Sequence, residues 1–257
     1  MRKVLSLRYL LETIVSLKTY CNMRRILDFL EQLTCNNNRP WFEQNKALYQ
    51  DAHNYFVAWN EELLKRLTII EPQMQKLTSK DCIWRIYRDV RFSHDKRPYK
   101  EWFGVFVASG VPGQIKTYGK KSMRGGYYVH VQPGQCMFGG GIWDPVPELL
   151  KALRKEIEVN GDELEQIMSH PAWKRYFGDF DAEYMLKRVP SGFEPDSRYA
   201  NWLKRKAYTF SHRIKDEEMS SPELMDTLVD MAVAAKPVND FLNYTFELYG
   251  EFPSYCR

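Results

Sequence analysis

GGYYVHVQPGQCMFGGGIW, residues 125–143, decides the fold. Two apolar runs flank QPGQ. In the first, residues 126–132, tyrosine and valine alternate with histidine and glutamine, the period of two that a half-buried strand requires. Pro-Gly at the centre suits a tight reversal, so 126–132 and 136–143 read as the arms of a β-hairpin. Outward from it, FGVFVAS (103–109) and the stretch around 207–213 read as further strands. DCIWRIYRDVRF (81–92) reads as another, with Cys82, Trp84, Ile86, Arg88, Val90 and Phe92 on one face.

Helical periodicity takes over on both sides. It predicts helices over 23–36, over 41–67 with Asn38 as cap and Pro40 in the first turn, and over 146–159 with Asp144 as cap. The final helix is expected to open on a Ser220–Glu223 capping box and to kink at Pro237. Strands clustered between helical ends predict an α+β fold: one mainly antiparallel sheet flanked by helices, with long N-terminal and C-terminal helices. The expected organisation is an extension over 1–22, a single α+β domain over 23–250, and a tail over 251–257.

The 257 residues are 44% hydrophobic and 27% charged, with a net charge of +4, too mild for a dedicated nucleic-acid protein. The charge is unevenly placed. Residues 85–124 hold ten Lys/Arg against three acids. Five scattered cysteines (21, 35, 82, 136, 256) without a CxxC pair predict a reduced, cytoplasmic protein. Arg8, Glu12 and Lys18 interrupt every apolar run of the first 22 residues, so neither a signal peptide nor a membrane helix is expected.

No cofactor or metal is expected, although a carboxylate-held Mg2+ stays open. The five histidines never reach HxxxH spacing, and no Cys pair completes a zinc set. GQIKTYGKKS (113–122) imitates a phosphate-binding loop, but five residues separate its glycines and Lys121 replaces the hydroxyl residue. It reads as a basic loop. The triple glycine 139–141 admits either tight strand packing or the close approach of a ligand. No GxSxG nucleophile motif occurs.

RIYRDVRFSHDKRPYK (85–100) carries six Lys/Arg, two Asp and two Tyr in sixteen residues. An arginine on the apolar face of a strand must be paired or open into a cavity, because an unpaired buried charge is expensive. Arg88 is that residue. Beyond it, Asp95, Lys96, Tyr99 and Lys100 surround Pro98 in a loop of the kind that carries function.

The string YRDVRFSHDKRPYK resembles the signature of domain of unknown function 2461. FLEQLTCNNNRPWFEQNKALY looks like that family's opening, GGYYVHVQP and GGGIWDP like its centre, and LKRVPSGFEPDSRYANWLKRKAYTF like its later block. His94, Arg97 and Ser197 depart from the pattern. The resemblance implies a single-domain α+β fold and supplies no activity.

The residues themselves point first to a domain that binds a phosphate- or carboxylate-bearing small molecule. Arg88, Arg91, Lys96 and Lys100 would contact the anion. Asp89 and Asp95 would orient those bases or move protons. Tyr87, Tyr99 and Tyr127 would supply hydroxyls or stacking faces, and Gly139, Gly140 and Gly141 a close backbone approach. A nucleic-acid-binding surface over 85–124 is the second reading, and a non-catalytic structural domain the third. No membrane partner is expected.

Overall fold

The computed structural model describes residues 23–109, 119–250 and 252. The extension 1–22, the tail apart from Phe252, and Lys116 with most of its loop lie outside these residues. The hairpin forms as its sequence predicts: β2 (Gly126–Val131) pairs antiparallel with β3 (Met137–Ile142), Tyr127 opposite Gly140 and His130 opposite Met137. Gln135 N–H donates to Gln132 O at 2.9 Å, and Gly134 takes φ 69°, the geometry of a type II turn with proline first and glycine second. β1 (Phe103–Val107) flanks β2 and β4 (Tyr208–Arg213) flanks β3, giving one antiparallel sheet in the order β1-β2-β3-β4.

One face of the sheet is buried through Val105, Val107, Tyr127, Val129, Phe138, Tyr208 and Phe210. The helices lie around it. The described part of α1 spans residues 23–35, followed by α2 (Arg39–Gln44), α3 (Lys46–Ile70) and α4 (Ser79–Cys82). Between β3 and β4 come α5 (Pro147–Ser169), α6 (Pro171–Tyr176) and α7 (Ala200–Leu203), and after β4 come α8 (Asp216–Met219) and α9 (Leu224–Tyr249). α9 packs on β3, on α3 and on α5, and α3 packs on β1, so the buried apolar side chains from Met23 to Phe246 form one cluster. Asn239 and Asn243, one turn apart on α9, tie helix to sheet. Asn239 accepts from Gly141 N–H and donates to Gly126 O, both at 3.1 Å, while Asn243 accepts from Gly125 N–H at 2.7 Å and donates to its carbonyl.

Several expected boundaries shift. The helix expected over 41–67 breaks at Asn45, whose own N–H and side-chain amide both turn back to Trp41 O, and Asn38 caps α2 by accepting from Trp41 N–H. α5 starts at Pro147 after Val146, and Asp144 instead takes a left-handed φ of 53°, which aspartate tolerates better than most residues. α9 continues through Pro237. The carbonyl that proline deprives of a donor belongs to the exposed Val233, where water can replace it. The departure from helical dihedrals falls in α5 at Asn160, just before Gly161, against whose backbone the Tyr199 ring packs. Ser220 caps nothing; Ser221 Oγ accepts from Glu223 N–H.

The expected strand over 81–92 is not one. Ile83 bridges Val105 and Trp84 N–H donates to Gly104 O at 3.0 Å, so the segment first straps the free edge of β1. It then pairs with its own continuation: Tyr87 bridges Tyr99, Arg88 N–H donates to Pro98 O, and Lys100 N–H donates to Ile86 O. Burial follows these partners rather than a period of two. Ile83 and Ile86 are buried, while Trp84 and Tyr87 are exposed and Phe92 is 94% exposed. Arg88 therefore shares no buried face with Trp84, Val90 and Phe92. At the opposite edge Asp181 N–H donates to Thr209 O at 2.7 Å, covering β4.

Candidate functional site

Asn37 brings α2 against the 85–100 segment. Its amide accepts from Tyr99 N–H at 3.1 Å and donates to Tyr99 O and to Glu101 Oε1, each at 3.0 Å. One turn of helix later Phe42 stacks on the Tyr99 ring, centroids 4.0 Å apart and planes within 15°. Between the two elements lies an open groove of about 310 Å3, lined by Arg39 and Glu43 of α2 and by Tyr87, Arg88, Val90, Pro98 and Tyr99. Burial, then Tyr87, raises the pKa of Tyr99, so its hydroxyl stays protonated at neutral pH.

Most charges of the segment satisfy one another. Arg88 Nη1 donates to Asp95 Oδ2 at 2.6 Å. Arg97 grips both oxygens of the same carboxylate and reaches Glu101 at 2.5 Å. Arg91 clasps Asp89 in the same way, and Lys96 donates to Val90 O at 3.1 Å. The hydrogen bonds from Arg91 pull Asp89 down to about 2, and those from Arg97 and then Arg88 hold Asp95 well below the usual carboxylate range. Carboxyls held this low stay ionised and are poor proton acceptors, so the geometry suits them to orienting arginines. Arg39 differs. It is exposed on the groove rim, and no carboxylate lies within 4 Å of it among the described residues.

Of the residues singled out from sequence, the structure brings Arg88, Tyr99 and Tyr87 to the groove, with Asp95 behind Arg88. Asp89, Arg91 and Lys96 stand outside its lining. Lys100 projects away from Tyr99, as neighbours on an extended chain must, and lies between Trp84 and Trp102. Tyr127 pairs with Val107, the far end of β1 and four residues (roughly 13 Å) beyond Phe103, and donates to the buried Glu71 at 2.9 Å. Gly139 and Gly140 lie mid-sheet between β2 and β4. A Cβ on Gly140 would sit 2.4 Å from Gly126 O and 2.7 Å from the Phe210 ring, so their close approach is to their own strands.

Asn37, Arg39 and Glu43 are not among the residues that the sequence singles out; the local signal there, NNNRP, marks only a helix start. Among the described residues no three His, Cys, Asp or Glu side chains form a metal-ligand set. Of the later bases, Lys120 donates to Lys80 O and Ile83 O and Arg124 lies over the Phe246 ring. Acids and carbonyls thus interrupt the basic tract.

Fold and groove together define an α+β domain with a small arginine- and tyrosine-lined cleft at the edge of an antiparallel sheet. The family described as conserved hypothetical protein, DUF2461, matches residues 25–241, and the chain belongs to it. No curated protein and no solved structure matches the chain. No described helix is long and apolar enough to cross a membrane.

Proposed function

We propose that the chain binds a small phosphate- or carboxylate-bearing molecule in the groove between α2 and the 85–100 segment, in a reducing cytoplasmic setting. The observation that carries this reading is Arg39, a guanidinium with no carboxylate partner among the described residues, on the rim of a cleft that also presents Arg88. Two guanidiniums on one cleft suit bidentate capture of an anion. The volume falls at the lower end of small-molecule sites. Tyr87 and Tyr99, with ring centroids 5.5 Å apart, offer faces and hydroxyls to the rest of the ligand, and Glu43 rejects a second negative charge beside Arg39. Asp95 holds Arg88 in place from behind.

A ligand present at 100 times its dissociation constant should stabilise the protein by about 2.7 kcal/mol, read as a melting shift. Arg39→Ala should abolish that shift while changing the unliganded stability by no more than about 0.5 kcal/mol, as expected of an exposed, unpaired side chain. A broad panel of phosphorylated and carboxylated metabolites that moves the melting point no further than simple salt does would defeat the reading. So would a shift that survives both Arg39→Ala and Arg88→Ala.

A further inference from the structure

On the reverse side of the 85–100 segment, Lys100 is held in an unusual setting. Its ammonium donates to Arg85 O at 2.8 Å and sits 4.8 Å from the Trp102 ring and 5.5 Å from the Trp84 ring. The charged groups facing it are cationic: Arg85 on its own segment, with no carboxylate within 4 Å among the described residues, and Lys120 from the turn over 119–121. Acids stand beside those two cations rather than beside Lys100: Asp81 of α4, which accepts from Thr78, also feels Lys120, and Asp89, clasped by Arg91, feels Arg85, while Glu101 turns to Asn37 and Arg97. A half-buried amine beside other cations is the arrangement that makes a lysine nucleophilic.

We propose that Lys100 is an imine-forming residue, taking a small aldehyde or ketone that also carries a negative charge, with Arg85 meeting that charge and the two indoles flanking the carbonyl compound. In the step, the Nζ lone pair adds to the carbonyl carbon, and proton transfer from nitrogen to oxygen gives a carbinolamine. Loss of one water then leaves the C=N bond. No oxidant, reductant or metal is consumed. Burial, then Arg85 and Lys120, bring the Lys100 ammonium down to about 8. At pH 7.5 roughly a quarter of it is then free amine, about 200-fold more than for a lysine titrating near 10.4. The half-exposed Trp84 leaves a way in. This inference does not rest on the groove, which lies on the other face of the segment.

Pyridoxal 5'-phosphate, an anionic aromatic aldehyde, is a direct probe. The full chain is treated with it at pH 7.5, the imine is trapped with borohydride, and the labelled lysines are mapped by mass spectrometry. Lys100 should be labelled at least ~10-fold faster than the exposed Lys96, and pyridoxal without its phosphate should label Lys100 several-fold more slowly. Arg85→Ala should remove that preference for the phosphorylated probe. Labelling of Lys100 in the wild-type protein no faster than that of Lys96 overturns the proposal without reference to any variant. Equal rates with the two probes overturn the requirement for a charged substrate.

Discussion

Arg88 and Arg97 both end on Asp95, and the sharing sets what each contributes. Had Arg88 held a buried carboxylate alone, its removal would strand that charge at about 3–5 kcal/mol. Asp95 is instead 36% exposed and keeps Arg97 when Arg88 is removed. Arg88→Ala and Arg97→Ala should therefore each destabilise only slightly, as solvent-screened pairs do. The double variant should lose more than the sum, because Asp95 then has neither guanidinium. A double-mutant cycle by chemical denaturation measures the coupling, and strict additivity would show that the two arginines act independently. Sequence reading found Arg88 for a reason the structure rejects. The alternation of 81–92 is real as a pattern, but its backbone partners are β1 and residues 98–100, and no local periodicity encodes them. Arg39 was illegible for a related reason: an exposed arginine looks like any other until the fold places a second one on the same cleft.

The hold of α9 on the sheet is an element-scale property concentrated in Asn239. This side chain is buried and satisfies two buried backbone groups, Gly141 N–H and Gly126 O. Asn239→Leu should cost about 1–3 kcal/mol for each group left without a partner, whereas Asn243→Ala, at the half-buried end of the same helix face, should cost less. Urea denaturation of both variants checks the order, and a smaller loss for Asn239→Leu would refute it. The hairpin that this helix clamps was legible because everything specifying it is local: the period of two, and Pro133-Gly134 at its turn. The glycines of β3 were legible only as a choice between packing and ligand approach. What decides the choice is Phe210 and the carbonyls of neighbouring strands, contacts that exist only once the sheet forms.

Across the whole molecule, acid is the informative perturbation. Hydrogen bonds from Arg91 to Asp89, from Arg97 and Arg88 to Asp95, from Thr78 to Asp81 and from Ser221 to Glu223 all lower the folded-state pKa. Groups shifted this way bind more protons when unfolded. The stability they add is present in full above about pH 5 and is lost as pH falls toward the value of about 2 held by Asp89. Denaturation midpoints should fall through that window, and Asp95→Asn should flatten the fall. An Asp95→Asn profile identical to that of the parent protein would mean that the carboxylate gains nothing from its arginines. The α+β class itself was legible at this scale because helical and strand periods separate cleanly along the chain. The way the 81–92 segment is spent, as edging rather than as a strand, was not.

That strap has a further consequence. A four-stranded sheet that does not close on itself has two rims able to recruit strands from other chains. Here Ile83 and Trp84 occupy one rim and Asp181 the other. The guard on the first rim continues directly into Tyr87 and Arg88 of the groove, so one continuous segment both covers a sheet edge and shapes the cleft. Any large swing of this segment to admit a guest would bare the rim it protects. On the proposed reading of the groove, a guest would therefore have to be small enough to enter through side-chain movement alone.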